Sequence, residues 1–179
     1  MRALVIVSGP PGAGKSTLAA PLAVALGFPL LTKDTIKETL FDALGHLDAD
    51  RLTSSRRLGG AAMELLWRQA ADCPEVVVEA NFRTGSDRER SRVAGLCPFP
   101  VEVHCRVPVE VAAERFAARA RRADHHPVHV MASVPEEFFA QFTEPFGLGP
   151  VVEVDTSAPV DAADVAARVR RALAEARLS

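Results

Sequence analysis

Gly9-Pro-Pro-Gly-Ala-Gly14-Lys15-Ser16-Thr17 is the stretch of sequence that decides the fold of this chain. It fits the pattern G-x-x-x-x-G-K-[ST], in which a glycine-rich loop holds phosphate groups. The apolar run at residues 4–7 predicts a buried strand before the loop, and residues 18–26 predict a helix after it. We therefore expect a phosphate site where this helix begins. The alternative is a glycine-rich turn that binds nothing.

The loop residues have distinct expected roles. Backbone N–H groups of the loop and of the first helical turn form a concave, positively polarised site for an anion. Glycines permit positive φ and a close approach of phosphate to the backbone. Lys15 is expected on the β- and γ-phosphates, Ser16 on Mg²⁺ and Thr17 on an α-phosphate oxygen. The expected nucleotide contacts here are Gly9, Gly12, Ala13, Gly14, Lys15, Ser16 and Thr17.

The composition indicates one globular domain over residues 1–179, with 48% hydrophobic and 25% charged residues. A net charge of −2 gives no overall attraction for nucleic acid. Cys73, Cys97 and Cys105 lack C-x-x-C spacing, which favours reduced thiols and a cytoplasmic location. The longest apolar stretch, residues 18–31, is too short for a membrane span, and the start of the chain is too short for a signal peptide.

Strand and helix signals alternate along the chain, which predicts an α/β fold with a parallel sheet. The second helix is expected to begin through a capping box at Thr35-x-x-Glu38, and Pro21 is expected to kink the first helix. Predicted strands span residues 3–8, 28–31, 75–79, 101–106 and 151–154. Predicted helices span residues 15–26, 34–44, 51–72, 86–95, 109–122, 135–142 and 160–177.

The glycine-rich loop, known as the P-loop, occurs in several classes of nucleotide-binding protein. The signature motifs of two of these classes are absent from this sequence. The guanine-binding N-K-x-D is absent, and its nearest string is Thr32-Lys33-Asp34. The transporter signature L-S-G-G-Q is represented only by the fragment Leu58-Gly59-Gly60.

The ordered series of motifs resembles small P-loop kinases, in the group that contains chloramphenicol phosphotransferase, zeta-type toxins, polynucleotide 5′-kinases and uncharacterised kinases. The series is residues 9–17, Lys33-Asp34, Glu79-x-Asn81, the arginines of 115–122, the histidines of 125–129 and Val154-Asp155-Thr156. The resemblance implies a three-layer fold, with a five-stranded parallel sheet in the order 2-3-1-4-5, helices on both faces and a mobile LID at about residues 115–135. It also implies transfer of the ATP γ-phosphate to a hydroxyl, with ATP and Mg²⁺ bound, and leaves the acceptor open.

Polar residues at strand ends are the candidates for catalysis and acceptor binding. Asp34 follows the second predicted strand, at the edge where α/β sheets bind ligands. The resemblance implies that it accepts the proton of the acceptor hydroxyl, and a helix N-cap is the alternative. Glu79 ends an apolar strand and is expected to hold a Mg²⁺-bound water, although relatives often have Asp there. Asn81 and Arg83 are expected to border the acceptor, with turn chemistry as the alternative.

Arg115, Arg119 and Arg122 share one face of a predicted helix, and no acid precedes any of them by three or four residues. Like charges at this spacing repel, so the arginines are expected to contact an external anion such as the triphosphate. Arg115 and Arg119 are the first candidates for catalysis, and a solvated basic face is the alternative. Asp155 and Thr156 resemble a segment beside the adenine pocket, or they form a simple turn.

Other polar and aromatic clusters have less specific interpretations. His125, His126 and His129 are expected in a LID loop, with a zinc site as the alternative. Phe41, Met63 and Trp67 lie at helical spacing and are expected in the core, with stacking on a substrate as the alternative. Arginines near the start of the long helix are expected to be solvated, unless the acceptor is phosphorylated or a nucleic acid. These arginines are Arg51, Arg56 and Arg57.

The residues and the resemblance together predict an ATP- and Mg²⁺-dependent kinase for a small-molecule hydroxyl, and the resemblance implies an acceptor of the antibiotic, nucleoside or sugar class. A polynucleotide 5′-hydroxyl kinase is the first alternative, and the acidic net charge argues against it. A nucleotide-binding regulator with little turnover is the second alternative. The sequence leaves the oligomeric state open.

Overall fold

A computed structural model describes residues 2–176 of the chain. Five strands alternate with helices, as the sequence predicts. The strands are β1 (Ala3–Ser8), β2 (Leu30–Thr32), β3 (Glu75–Glu79), β4 (Val101–Arg106) and β5 (Val151–Asp155). The helices are α1 (Lys15–Leu26), α2 (Lys33–Leu44), α3 (Arg51–Asp72), α4 (Asp87–Leu96), α5 (Val109–Ala120), α6 (Glu136–Phe139) and α7 (Ala162–Ala176), and a 3₁₀ turn, Ala140–Phe142, follows α6.

The strands form one parallel sheet in the order β2-β3-β1-β4-β5, which confirms the expected fold class. β1 lies in the middle, with Ile6 opposite Val78 of β3 and Val7 opposite Val103 of β4. Every residue of β1 is buried, because helices cover both faces of the sheet and an apolar run is required there. The carboxyl ends of the strands therefore meet along one edge, where the glycine-rich loop begins.

Two apolar layers hold the helices on the sheet. Leu22 of α1 and Val169 of α7 belong to one cluster, on the face to which Val5 points. Leu66 of α3 and Val93 of α4 belong to the other cluster. Burial of each such side chain contributes roughly 1.5–3 kcal/mol to the folding free energy before entropic costs. The strands that end at the site are therefore held in place by a packed core on both faces.

The start of α2 differs from the expected capping box. Its N-cap is Thr32, whose hydroxyl oxygen accepts a hydrogen bond from the Thr35 N–H at 3.3 Å. The predicted box at Thr35 and Glu38 is wrong, because the helix already begins at Lys33. Asp34 consequently lies in the first helical turn and is not the cap.

α1 continues through Pro21 without interruption and ends at Gly27, which adopts a left-handed conformation with φ of 76°. Proline cannot donate the backbone hydrogen bond to the carbonyl of Thr17, four residues earlier. Thr17 itself is exposed and lines the cavity described below. The kink expected at Pro21 stays a prediction.

Within residues 2–176, no helix is long and apolar enough to cross a membrane. The three cysteines are free thiols, and burial raises the pKa of Cys105 to about 12. Trp67 is buried and Met63 is half-buried in the core, as expected. Phe41 is only half-buried, and its ring packs edge-on against His46 and His126.

Candidate active site

The glycine-rich loop leaves β1 with three glycines in positive φ, at 129° for Gly9, 82° for Gly12 and 78° for Gly14. A Cβ on Gly9 would collide with the Cys105 carbonyl, and one on Gly12 would collide with the Ala112 carbonyl. Gly9 and Gly12 are therefore needed where the loop packs on β4 and α5. The positive φ expected of the loop glycines is confirmed, and the close approach of phosphate to them stays a prediction. Of these three glycines, only Gly14 has room for a Cβ atom, which would lie 3.8 Å from the Cβ of Thr156.

Lys15 starts α1 and is 4% exposed. Its ammonium donates to the carbonyl of Gly9 at 3.0 Å and to that of Pro10 at 2.8 Å, so it lies across the loop. Burial lowers the pKa of Lys15, and the carboxylate of Glu79 partly offsets this effect. The ammonium is held on the wall of the cavity, where an incoming phosphate oxygen could replace the carbonyls.

Glu79 is the last residue of β3 and is also buried. Burial raises the pKa of its carboxyl group, while Lys15 and a hydrogen bond with the Ser16 hydroxyl act in the opposite direction. A hydroxyl and a carboxylate side by side are oxygen ligands of the kind that Mg²⁺ takes together with phosphate and water. The pair fits a magnesium ion at this edge of the sheet.

A cavity of about 560 Å³ opens in front of the loop and joins most of the predicted site residues. It extends from the phosphate loop to the ends of β2 and β3 and to α5. The predicted residues on its wall are Gly12, Gly14, Lys15, Ser16, Thr17, Asp34, Glu79, Asn81, Arg115, Arg119 and Thr156. The wall also contains residues to which the sequence analysis gave no role in binding, among them Pro21, Ser157, Ala158, Pro159 and Val160.

Four predicted residues do not line this cavity. Gly9 and Ala13 belong to the part of the loop that packs on the fold. The Asp155 carboxylate accepts a hydrogen bond from the Ser157 N–H at 2.9 Å and thus serves the turn. The main chain of Arg83 donates to Glu89 at 2.8 Å, and its side chain lines a different groove. Neighbouring loop residues face opposite ways, which their order in the sequence does not reveal.

Asp34 contacts Lys33, with 3.2 Å between the carboxylate and the ammonium. Burial by itself would raise the pKa of Asp34. The charge of Lys33, followed by His129 and Arg119, outweighs burial and lowers the pKa. Asp34 is therefore an ionised carboxylate at neutral pH, able to accept a hydrogen bond from a hydroxyl in the cavity.

The three predicted arginines are not equivalent. α5 ends at Ala120, so Arg122 lies beyond the helix and pairs with Asp124 at 2.8 Å. Its predicted place on the arginine face is wrong. Arg115 donates to the carbonyls of Thr156 at 2.9 Å and Ser157 at 3.1 Å, and so fixes the far wall of the cavity. Arg115 also lines the cavity, so its contact with an external anion stays a prediction.

Arg119 also lines the cavity, and its guanidinium lies 5.8 Å from the centre of the Phe116 ring. Its charge acts on both Lys15 and Asp34, lowering the pKa of each, so it lies within electrostatic range of both. Arg119 is the α5 arginine best placed for a phosphate between the loop and Asp34.

Sequence reasoning named Lys33 only beside Asp34 in the motif series, without a role, and did not consider Lys37. The chain has only three lysines against 18 arginines, and all three cluster around this cleft. Lys37 is 6% exposed, and its ammonium donates to the Ser55 hydroxyl at 2.8 Å. Burial, followed by the charge of Lys33, lowers the pKa of Lys37 to about 8. The scarcity of lysine was the signal that could have identified both residues.

Two of the three histidines in residues 125–129 contact side chains of α2. His129 contacts Glu38 at 2.8 Å, and His126 contacts Asp42 at 3.1 Å. His125 bonds to the carbonyl of His129 at 3.0 Å. Among the residues that the structure describes, no group of three or more His, Cys, Asp or Glu side chains is arranged to hold a metal.

Comparisons with known proteins agree with this architecture. The profile of a family described as AAA domain (AAA_33) matches residues 4–145. A crystal structure of a candidate kinase from Chloroflexus aurantiacus is 34% identical over 96% of this chain and 98% of the other, with a TM-score of 0.83. A search of curated protein sequences found no significant match.

Two more distant structures share the fold. Shikimate kinase from Acinetobacter baumannii, in complex with shikimate, is 17% identical over 100% of this chain and 96% of the other, with a TM-score of 0.60. A gluconokinase from Sinorhizobium meliloti is 21% identical over 98% and 94%, with a TM-score of 0.55. The chain thus has the fold of P-loop kinases, and it belongs to the AAA domain family AAA_33.

Proposed function

We propose that this protein is an ATP- and Mg²⁺-dependent phosphotransferase that acts on the hydroxyl of a small molecule of the antibiotic, nucleoside or sugar class. The observation that carries the proposal is the shared cavity. It places the phosphate-loop ammonium of Lys15, the guanidinium of Arg119 and the carboxylate of Asp34 around one space. Phosphoryl transfer needs mainly positioning and charge stabilisation, and these three groups can supply both.

The nucleotide would occupy the end of the cavity nearest α1. Its phosphates would contact the N–H groups of residues 12–17, with Thr17 at the α-phosphate. Its base would face the apolar surface of Pro21, Pro159 and Val160, opposite Arg115. This arrangement gives Pro21 a use in the site. Ser16 and Glu79 would hold Mg²⁺, which neutralises phosphate charge when bound.

In the transfer step, the acceptor oxygen bonds to the γ-phosphorus while the bond to the β–γ bridging oxygen breaks and ADP leaves. The hydroxyl proton passes to Asp34. The lowered pKa of Asp34 makes it a weak base, so we assign it mainly to orienting the hydroxyl, with proton acceptance late in a loose transition state. Asn81 lies beside the acceptor in this arrangement.

Residues 115–135 would form the LID, which excludes water when it covers the substrates. We place the reaction in the cytoplasm, which supplies ATP and keeps thiols reduced.

One observation favours a polynucleotide 5′-hydroxyl as a second acceptor class. A groove of about 470 Å³ between α3 and α4 carries Arg57, Arg83, Arg88 and Arg92. Glu64 binds Arg88 and Arg92, which reduces the charge available for a nucleic-acid backbone. A steep loss of turnover with added salt would favour this acceptor over a small molecule.

The test is ATP turnover with Mg²⁺ against antibiotics, nucleosides, sugars and oligonucleotides, with products identified by mass. We expect one class to gain 80 Da, the mass that a phosphoryl group adds to a hydroxyl compound, roughly in proportion to the ADP formed. A purified protein that binds neither ATP nor GTP in the presence of Mg²⁺ would contradict the proposal. Tight nucleotide binding with no phosphorylated product from any class would favour a regulator.

A further inference from the structure

Residues 125–129, which we call the strap, are fixed on α2 and α3 by a small buried cluster. Val128 is 1% exposed. Its carbonyl accepts hydrogen bonds from the Ser55 hydroxyl at 2.7 Å and the Lys37 ammonium at 3.4 Å. Lys37 also donates to Ser55 at 2.8 Å, so the three groups close a triangle. One side chain from each helix thus holds the same carbonyl of the strap.

Burial of the Lys37 ammonium at this position costs folding free energy. Within residues 2–176 its ammonium forms no ion pair, and its hydrogen-bond partners are two neutral oxygens. The charged groups that act on it or are affected by it are Lys33, Asp34 and Glu38 of its own helix and His129 of the strap. Burying an ammonium without a carboxylate is unfavourable. Stability alone does not explain a lysine here, because an apolar side chain would avoid this penalty.

The strap is connected to the arginine of the active site by successive turns. The Arg122 N–H donates to the Arg119 carbonyl at 3.1 Å, and the His125 N–H donates to the Arg122 carbonyl at 3.1 Å. These two turns lie between the end of α5 and the strap and link them through backbone hydrogen bonds. A displacement of Val128 from α2 and α3 would release the end of α5, where Arg119 lies.

We propose that Lys37 and Ser55 are positioning residues, which latch the strap on α2 and α3 and thereby hold Arg119 towards the γ-phosphate. The inference rests on the proposed function, because it assumes that ATP occupies the cavity. The outer contacts of His126 and His129 are more exposed and contribute less than the buried triangle. The latch joins the helix that carries Asp34 to the segment that carries Arg119, so it aligns the two sides of the transfer.

The experiment measures the affinities of Mg·ATP and Mg·ADP for the wild-type chain and for Lys37→Met, Ser55→Ala and Arg119→Ala. Arg119 is expected to contact only the γ-phosphate, so Arg119→Ala should remove the preference for ATP and leave ADP affinity within about twofold. Lys37→Met should remove a similar part of this preference. Ser55→Ala deletes one hydroxyl and serves if Lys37→Met does not fold. Leu65→Ala shortens a partly exposed side chain of α3, outside residues 115–135, and should change neither affinity.

The double variant Lys37→Met/Arg119→Ala should lose no more ATP preference than Arg119→Ala alone, since both changes remove one interaction. A purely structural effect of Lys37 would lower ADP affinity as well, or would add to the loss from Arg119→Ala. Latch variants that keep the full ATP preference, or a wild-type chain with no preference, would overturn the inference.

Limited trypsin cleavage after Arg121 and Arg122 tests the latch without nucleotide. Both residues are exposed, and release of the strap should speed cleavage several-fold in Ser55→Ala. If the wild-type chain binds no nucleotide, the proposed function fails. Faster cleavage in the variant would still support the latch, and equal cleavage rates would refute it.

Discussion

The buried ammonium of Lys37 predicts that Lys37→Met changes how stability depends on pH. The pKa of Lys37 is about 8 in the folded chain and 10.5 for an ordinary lysine. Each pKa unit corresponds to about 1.4 kcal/mol, so burial of the charged form costs roughly 3 kcal/mol at neutral pH. The cost is fully present below pH 8. It falls as pH rises towards 10.5, because the unfolded chain then binds more protons than the folded chain.

Between pH 7 and pH 9.5, the wild-type chain should gain about 2 kcal/mol of unfolding free energy relative to Lys37→Met. The assay is urea denaturation of both proteins at the two pH values, with equal m-values as the check on a two-state comparison. Titrating groups on which Lys37 does not act, including Cys105 and Lys15, are present in both proteins and cancel in the difference. Lys37 does act on His129, whose lowered pKa places its titration below pH 7 in the wild-type chain. Unfolding free energies that change in parallel would show that Lys37 is not a buried cation, and would refute the reasoning.

Three further predictions concern single side chains of the site and its loop. Asp34→Asn should lower turnover roughly 10²–10⁴-fold while leaving ATP affinity nearly unchanged, and Lys15→Ala should lower turnover further, as ADP release would show. Gly12→Ala should lower the unfolding free energy by roughly 2 kcal/mol or more in urea, because it combines φ strain with a backbone clash. Gly45→Ala, at φ of 69° with open space, should cost less. Arg119→Ala should reduce turnover at least tenfold, whereas Arg122→Ala should stay within about twofold; equal losses would contradict the placement of Arg122.

The sequence was sufficient for the sheet and the phosphate loop because their signals are local. β1 and β3 read as apolar runs, and strand order followed from the motif series. Asp34 and Glu79 could be assigned to one sheet edge because each follows or ends a predicted strand. The sequence did not determine where helices begin and end. Thr32 and Thr35 both suit the N-cap of α2, and the residues around Ala120 include neither the glycine nor the proline that commonly ends a helix.

Contacts between distant parts of the chain could not be read in the same way. Lys37 meets Ser55 across 18 residues and Val128 across 91, and no spacing rule links such partners. Arg83 and Asp155 lie in loops whose residues alternate between the cavity and other surfaces. The sequence identified the right segments there, but the direction of each side chain depends on packing that only the fold shows.

The distribution of lysine has a practical consequence for chemical labelling. Lys15, Lys33 and Lys37 all lie around the cleft, and the outer surface of residues 2–176 carries arginine where many proteins carry lysine. Amine-directed reagents such as succinimidyl esters should therefore find few lysine targets on the outer surface of residues 2–176. An adduct on any lysine within residues 2–176 would then report on the cleft and not on the outer surface.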